Sequence, residues 1–147
     1  MEAKEIKIGG RGVPMLLSVA ETAEIMEEIG CTVAQLRDEV FGLEVDFEQE
    51  DENKRVTFGI VKDPKKIRKF ATLIRILGNA GLEDAGQEPD LTEKWIMRHM
   101  KPGMLMAYVV AISLIINEAM QTEAPERQEG PVDEVLEEEN RKKGPEN

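Results

Sequence analysis

The chain has 147 residues, enough for one domain with a hydrophobic core and too few for two domains of ordinary size. It carries 30 acidic and 19 basic residues, a formal net charge of -11. This acidic excess argues against nucleic-acid binding, because phosphate contacts draw their affinity from lysine and arginine. The single cysteine excludes an internal disulfide bond and favours a reducing compartment.

The N-terminal sequence MEAKEIKIGG has no apolar segment after a basic one, so we expect no signal peptide. The longest apolar run, residues 104–116, spans 13 residues. A helix needs about 20 apolar residues to cross a bilayer. We therefore expect a core helix, no membrane span and a cytoplasmic protein.

Two short strands are predicted around a glycine turn near the N-terminus. Ile6 and Ile8 alternate with Lys7, the sequence GGRG follows, and residues 13–17 are apolar. Glycine supplies the positive φ that tight hairpin turns require. A phosphate-binding loop would need Lys-Ser/Thr at the opening of a helix, where this chain has Val13-Pro14.

Two short helices should follow the hairpin. Ser18 and Glu21 have the spacing of a capping box, and Gly30 suits a left-handed end to the first helix. Thr32 and Gln35 repeat the start pattern, and Gly42 ends the second helix. The apolar positions at helical spacing are Val19, Ala23, Met26 and Ile29 in the first helix, and Val33, Leu36, Val40 and Phe41 in the second.

A charged insert occupies residues 43–62. The sequence LEVDFEQ alternates from residue 43, as do Val56, Phe58 and Ile60. This pattern indicates a hairpin with its tip at residues 50–53, although both segments could instead belong to a mobile loop.

Three helices are predicted after the insert. Asp63-Pro64 opens the first, and we expect Gly78 to Gly81 to break it. Asp90 or Thr92 caps the second helix, and the segment 101–103 ends it. Residues 104–120 then form the third, a long apolar helix. Residues 91–120 are thus expected to form a buried helical pair, part of whose apolar surface could be exposed to another chain. The predicted inner faces are Ile67, Phe70, Ala71, Ile74 and Leu77 in the first helix, and Leu91, Trp95, Ile96, His99 and Met100 in the second.

The fold class expected from these elements is α+β and mostly α: a small N-terminal β-hairpin followed by a compact helical domain over residues 1–122. Residues 123–147 contain nine acidic residues and three prolines. They should form a disordered acidic C-terminal tail, in which residues 132–140 could form a transient helix.

The sequence offers little for catalysis, and we expect no enzyme, no catalytic residues, no metal site and no cofactor. His99 is interpreted as a satisfied, half-buried histidine, and Cys31 as a buried small hydrophobe. The acidic run in the insert fails as an EF-hand, because Asp51 and Thr57 stand where the loop needs glycine and glutamate.

Two groups of residues are candidates for binding a protein partner. Five of the eight methionines lie between residues 97 and 120, and methionine adapts to varied partners, although core filling also explains it. A basic patch at residues 62–69 is either a solvated helix face or a site for an acidic segment such as this chain's own tail. The predicted partner-binding residues are Met97, Met100, Met104, Met106, Lys65, Lys66 and Lys69.

The order of the elements resembles a known family. The motifs on which the resemblance depends are SVAETAEIMEEIG at 18–30, FATLIRILGNAGL at 70–82 and DLTEKWI at 90–96, followed by Lys101-Pro102. Across residues 5–122 they are similar to the tail assembly chaperones of long-tailed bacteriophages and prophages of Gram-positive bacteria. The insert at 43–62 is longer than this family pattern predicts.

The resemblance implies a non-enzymatic chaperone that coats the tape measure protein during siphophage tail assembly, acts in the host cytoplasm and is absent from the mature virion. It also implies self-association, and a longer frameshifted form that recruits the tail tube protein. The alternative is a small helix-turn-helix regulatory domain, with residues 33–41 as its recognition helix, acting on DNA or on a DNA-binding protein.

Overall fold

The computed structural model describes residues 4–47 and 54–121, beginning with the predicted N-terminal hairpin. Strands β1 (Lys4–Ile8) and β2 (Arg11–Met15) pair antiparallel, with Ile6 opposite Val13. Gly9 and Gly10 have φ of 59° and 83°, as a two-residue turn with two left-handed positions requires. Alternate side chains from both strands face the core, so the hairpin forms one wall of the domain.

Helix α1 (Val19–Glu28) begins at the predicted capping box. The Glu21 carboxylate accepts hydrogen bonds from the backbone N–H and the hydroxyl of Ser18, at 2.7 and 2.6 Å. Of the predicted apolar stripe, Ile29 is buried, but Val19 is 85% and Met26 50% exposed, and Ala23 is exposed as well. Ile25 faces the core instead, as does the buried Glu21.

Residues 33–41 form a 3₁₀ turn (Val33–Gln35) followed by a π-helical turn (Arg37–Phe41), rather than a regular α-helix. The four predicted apolar positions, Val33, Leu36, Val40 and Phe41, are all buried. Gly42 ends the segment in the left-handed conformation, with φ of 66°. The predicted core contacts are therefore confirmed, although the helix type differs.

The insert contains the second predicted hairpin. Strands β3 (Leu43–Phe47) and β4 (Lys54–Phe58) pair antiparallel, with Leu43 opposite Phe58. The predicted tip at 50–53 lies outside the described residues. A 3₁₀ turn (Gly59–Lys62) then leads into the longest helix and buries Ile60.

Helix α2 (Pro64–Asp84) crosses the core. Asp63 caps it by accepting hydrogen bonds from the N–H groups of Lys65 and Lys66, as predicted. Phe70, Ala71, Ile74 and Leu77 of the predicted face are buried, and Ile67 is half-buried.

The prediction that Gly78 to Gly81 would break this helix is wrong. Both glycines lie inside α2, where the helix passes close to β2. A Cβ on Gly78 would lie 2.5 Å from Cδ1 of Leu91, and one on Gly81 would lie 2.5 Å from the carbonyl carbon of Pro14. The glycines therefore permit close packing between helix and strand, and do not end the helix.

Helix α3 (Glu93–His99) is capped by Thr92, whose hydroxyl accepts from the N–H of Trp95 at 3.1 Å. Asp90, the other predicted cap, instead pairs with Arg11 at 2.9 Å. Helix α4 (Leu105–Met120) follows a short 3₁₀ turn at Pro102–Met104, as the interruption at 101–103 predicted.

Polar contacts fix α2 against its neighbours. Arg75 donates from Nε to Glu93 at 2.7 Å and also pairs with Glu28, so it connects α2 with the ends of α1 and α3. Asn79 exchanges hydrogen bonds with the backbone of Leu91, at 2.9 and 3.2 Å. The architecture is α+β and mostly α, as predicted; the tail at 123–147 lies outside the described residues.

Candidate functional site

The predicted methionine site is brought together only in part. Met97 and Met100, at the end of α3, line a groove of about 280 Å³ that we call the methionine groove. Its other lining residues come from the turn before α2, from α2 itself and from the start of α4: Val61, Ile67, Lys101, Pro102 and Leu105. Lys101 is the only charged side chain among these described lining residues, so the groove suits an apolar ligand surface.

Met104 and Met106 do not line the methionine groove. Met104 is 46% exposed just before α4, and Met106 is half-buried in its first turn. The two residues remain accessible to a partner but belong to a different part of the surface.

The three predicted lysines lie on the first turns of α2, outside the methionine groove. Lys66 donates from Nζ to the carbonyl oxygen of Glu39 at 3.1 Å, so it packs against the 33–41 segment. Lys65 is exposed, and Lys69 is half-buried. Lys66 therefore lies beside the 33–41 segment, and none of the three lysines lines the methionine groove.

Helix α4 is far more exposed than the prediction of a buried pair allowed. Val109, Ile112 and Ile116 are its buried residues, whereas Val110 is 49% and Leu114 is 62% exposed. The buried residues are spaced three and four positions apart and therefore share one side of the helix. We call the opposite side, formed by Ala107, Val110 and Leu114, the α4 outward face.

The α4 outward face lies in a long uncharged part of the sequence, because no charged residue occurs between Lys101 and Glu118. By length and composition alone, Pro102–Met120 could cross a membrane, and only 17% of its most apolar stretch is buried inside the protein. Two polar contacts connect this helix with β1: Tyr108 donates to the carbonyl of Lys7 at 3.2 Å, and Glu118 pairs with Lys4 at 3.3 Å.

A larger groove, of about 700 Å³, lies between α4 and the 33–41 segment. We call it the large groove. Its floor is apolar, and polar groups stand at its rim. The lining residues are Val33, Ala34, Leu36, Arg37, Asp38, Phe41, Leu43, Phe58, Ser113, Ile116, Asn117 and Met120.

The residues capable of chemistry are in structural positions. His99 is exposed rather than half-buried; its ring stacks on Trp95 at 4.3 Å, and its Nδ1 lies 2.8 Å from the carbonyl oxygen of Trp95. The guanidinium group of Arg11 lies over the Trp95 ring, with its Cζ atom 5.7 Å from the ring centroid. The cluster packs the hairpin turn against α3.

Cys31 is 7% exposed, as predicted for a small hydrophobe. Burial raises the pKa of its thiol, and the nearby Glu39 raises it further, so the thiolate is disfavoured. Within residues 4–47 and 54–121, no group of histidine, cysteine, aspartate and glutamate residues could hold a metal ion.

The geometry of residues 33–41 does not favour the helix-turn-helix alternative. A recognition helix must present a regular α-helical face to the major groove. Here the segment combines a 3₁₀ and a π-helical turn, and its exposed charges are Arg37, Asp38 and Glu39. Two of these three charges would repel phosphate.

Sequence reasoning allowed for exposed apolar surface within residues 91–120, but it located neither the α4 outward face nor the large groove. The uncharged run before Glu118 is a pattern that could have indicated the face, because a helix apolar on every side leaves part of its surface exposed in a small domain. The large groove depends on distant segments and has no local pattern. The chain matches no protein-family model, no curated protein and no solved structure.

Proposed function

We propose that this chain is a non-enzymatic tail assembly chaperone that binds the phage tape measure protein through the α4 outward face and the methionine groove. The observation that carries the proposal is the exposure of uncharged helix surface, with Val110 and Leu114 about half exposed or more, on a chain of net charge -11. Such a surface combines apolar binding with resistance to aggregation.

The partner chemistry follows from the shape of these surfaces. A tape measure protein is a long helix with apolar stripes, and an apolar stripe can pack against a helix face or lie in a groove. Met97 and Met100 suit this role, because flexible thioether side chains adapt to stripes that vary along the partner. Coating would then require many copies of the chaperone, each binding weakly.

The energetics suit reversible coating. Burying one exposed valine or leucine contributes about 1.5–3 kcal/mol before the entropic costs of association are subtracted. A face with Val110 and Leu114 at its centre therefore gives modest affinity per copy. Because each copy binds weakly, displacement of the chaperone from the tape measure protein during tube assembly would need no ATP.

The same proposal includes self-association along the tape measure, a cytoplasmic location in the host and absence from the mature virion. A longer frameshifted form would supply the contact with the tail tube protein. These parts rest on the family resemblance. We expect the gene to lie between a tail tube gene and a very long open reading frame that encodes a helical protein.

The test is co-expression of the full chain with the protein encoded by that long reading frame. We expect a soluble complex that elutes together, whereas the long protein alone precipitates. Leu114→Glu and Val110→Glu should each raise the Kd about tenfold or more, because an unpaired charge would enter an apolar contact. Full solubility of the long protein without the chaperone would contradict the proposal.

The matched control is Val19→Glu. Val19 is 85% exposed and begins α1, where the helix dipole favours a carboxylate. This variant adds the same charge to another exposed apolar residue and should bind as the wild type does. The length and apolar composition of Pro102–Met120 would also suit membrane binding. Flotation with phospholipid vesicles tests this alternative, and we expect the full chain to remain in the unbound fraction.

A further inference from the structure

The large groove opens on the surface beside the end of α4. Ile116 and Phe41 are buried at its floor, whereas Met120 is 54% exposed at its edge. Phe41 also packs edge-to-face on Phe70 of α2, with ring centroids 5.7 Å apart, so the floor is fixed to the core. The groove is thus a supported apolar site and not a gap between loose segments.

The described part of the chain ends at the rim of this groove. Asn117 and Met120 line it, and α4 ends at Met120. The sequence continues for 26 residues, from 122 to 147. A segment attached at the rim has an effective concentration of about millimolar at the site, which makes even weak docking favourable.

That C-terminal sequence contains one apolar cluster. Val132, Val135 and Leu136 have i, i+3, i+4 spacing, and acidic residues surround them. Ten residues separate this cluster from Gln121. A flexible linker of that length has an average span of about 17 Å, comparable with the width of one or two helices.

The charged groups near the groove are mixed. Arg37 and Asp38 both line it, and Lys66 donates from Nζ to the carbonyl oxygen of the neighbouring Glu39 at 3.1 Å. Residues 133–139 contain five carboxylates and no basic residue. Among the described lining residues, Arg37 is the side chain that could pair with these carboxylates, so the apolar floor must supply most of the affinity.

We propose that the chain's own acidic tail occupies the large groove, with Val132, Val135 and Leu136 on its apolar floor and a carboxylate of residues 133–139 paired with Arg37. The tail then covers an apolar surface that would otherwise bind other chains. This inference does not depend on the proposed function, because the large groove is separate from the α4 outward face and the methionine groove.

Photo-crosslinking in the full-length chain tests the proposal. With p-benzoylphenylalanine in place of Leu136, we expect cross-links, mapped by mass spectrometry, to residues 33–41 and 113–120. An equal mixture of ¹⁴N- and ¹⁵N-labelled chains distinguishes a tail bound in the groove of its own chain from a tail bound in the groove of a second copy. The proposal predicts cross-links within one chain. Links that join light and heavy chains would overturn it in favour of a second copy, and links spread over the whole surface would overturn it outright.

Point variants supply the second measurement. Ala34 is an exposed residue of the groove, so Ala34→Glu should reduce the cross-link yield about tenfold without unfolding the domain. Ala20→Glu, on exposed α1, is its matched control and should leave the yield unchanged.

In ¹H–¹⁵N spectra of the full chain, Leu136→Asp should shift the amide signals of Ser113 and Asn117. Gly144→Asp adds the same charge beyond the apolar cluster and should not. Equal yields for the two glutamate variants, or equal spectra for the two aspartate variants, would refute docking of the tail.

Discussion

Replacing Gly81 with alanine tests the packing on which the whole fold depends. The added Cβ would lie 2.5 Å from the carbonyl carbon of Pro14, and the carbonyl oxygen is closer still. These are backbone atoms of β2, so no side-chain rotation can relieve the contact. Either α2 or the hairpin must move, together with the buried residues between them.

The magnitude is the difference between two effects. Overpacking of this kind costs about 1–3 kcal/mol, and more where backbone must shift. Alanine gains about 1 kcal/mol over glycine in a helix interior. We therefore expect Gly81→Ala to lower the free energy of unfolding by about 2 kcal/mol, because the backbone clash lies at the upper end of that range.

The assay is urea unfolding of the full chain, monitored by circular dichroism. With an m-value of about 2 kcal/mol per molar, the midpoint should fall by about 1 M. Gly78→Ala should cost less, since its Cβ meets the movable end of Leu91. Gly103→Ala is the control, because nothing lies within 4 Å of its Cβ. A Gly81→Ala protein as stable as the wild type would refute the close packing of α2 on β2.

Three further predictions concern stability and reactivity. Ser18→Ala removes the capping box and should cost about 1 kcal/mol in urea unfolding; an unchanged midpoint would contradict the cap. Burial alone raises the pKa of Glu93, but hydrogen bonds from Arg75 outweigh it, so the pKa lies below its ordinary 4.5. The stability from this pair is therefore present above about pH 5 and is lost as the pH falls through the lowered pKa. Arg75→Gln should therefore reduce the loss of unfolding free energy at acid pH. An unchanged dependence of the unfolding free energy on pH would refute the ion pair. Cys31 should react with a thiol reagent about tenfold or more slowly in the native chain than in urea, and equal rates would contradict its burial.

The local structure of this chain could be predicted wherever neighbouring residues determine it. The capping residues Ser18 and Asp63 and the left-handed Gly30 and Gly42 have the predicted roles, because caps and turns depend on side chains a few positions away. The buried face of α2 was also predictable, since its apolar spacing is regular over several turns.

The errors in the prediction have tertiary causes. The sequence predicts a helix break at Gly81 because the neighbouring residues give no information about Pro14, which packs against Gly81 from a distant strand. Val19 and Met26 matched a helical stripe, but the capping contact of Glu21 turns the other side of α1 toward the core.

The candidate surfaces were predictable only in part for the same reason. The uncharged sequence of α4 indicates that part of this helix is exposed, but it does not indicate which side, because the residues that bury the other side are distant in sequence. Met97 and Met100 line one groove because they lie together at the end of one short helix. Lys66 lies apart from them, since its contact is with the backbone of Glu39.

The central claim is that the α4 outward face binds an apolar helical partner, and affinity for the tape measure protein tests it most directly. Binding of the purified full chain to a soluble tape measure segment would be measured by isothermal titration calorimetry for the wild type, Leu114→Glu and Val19→Glu. The account predicts wild-type affinity for Val19→Glu and a loss of about tenfold or more for Leu114→Glu. Equal affinities for the two variants, or no binding by the wild type, would contradict it.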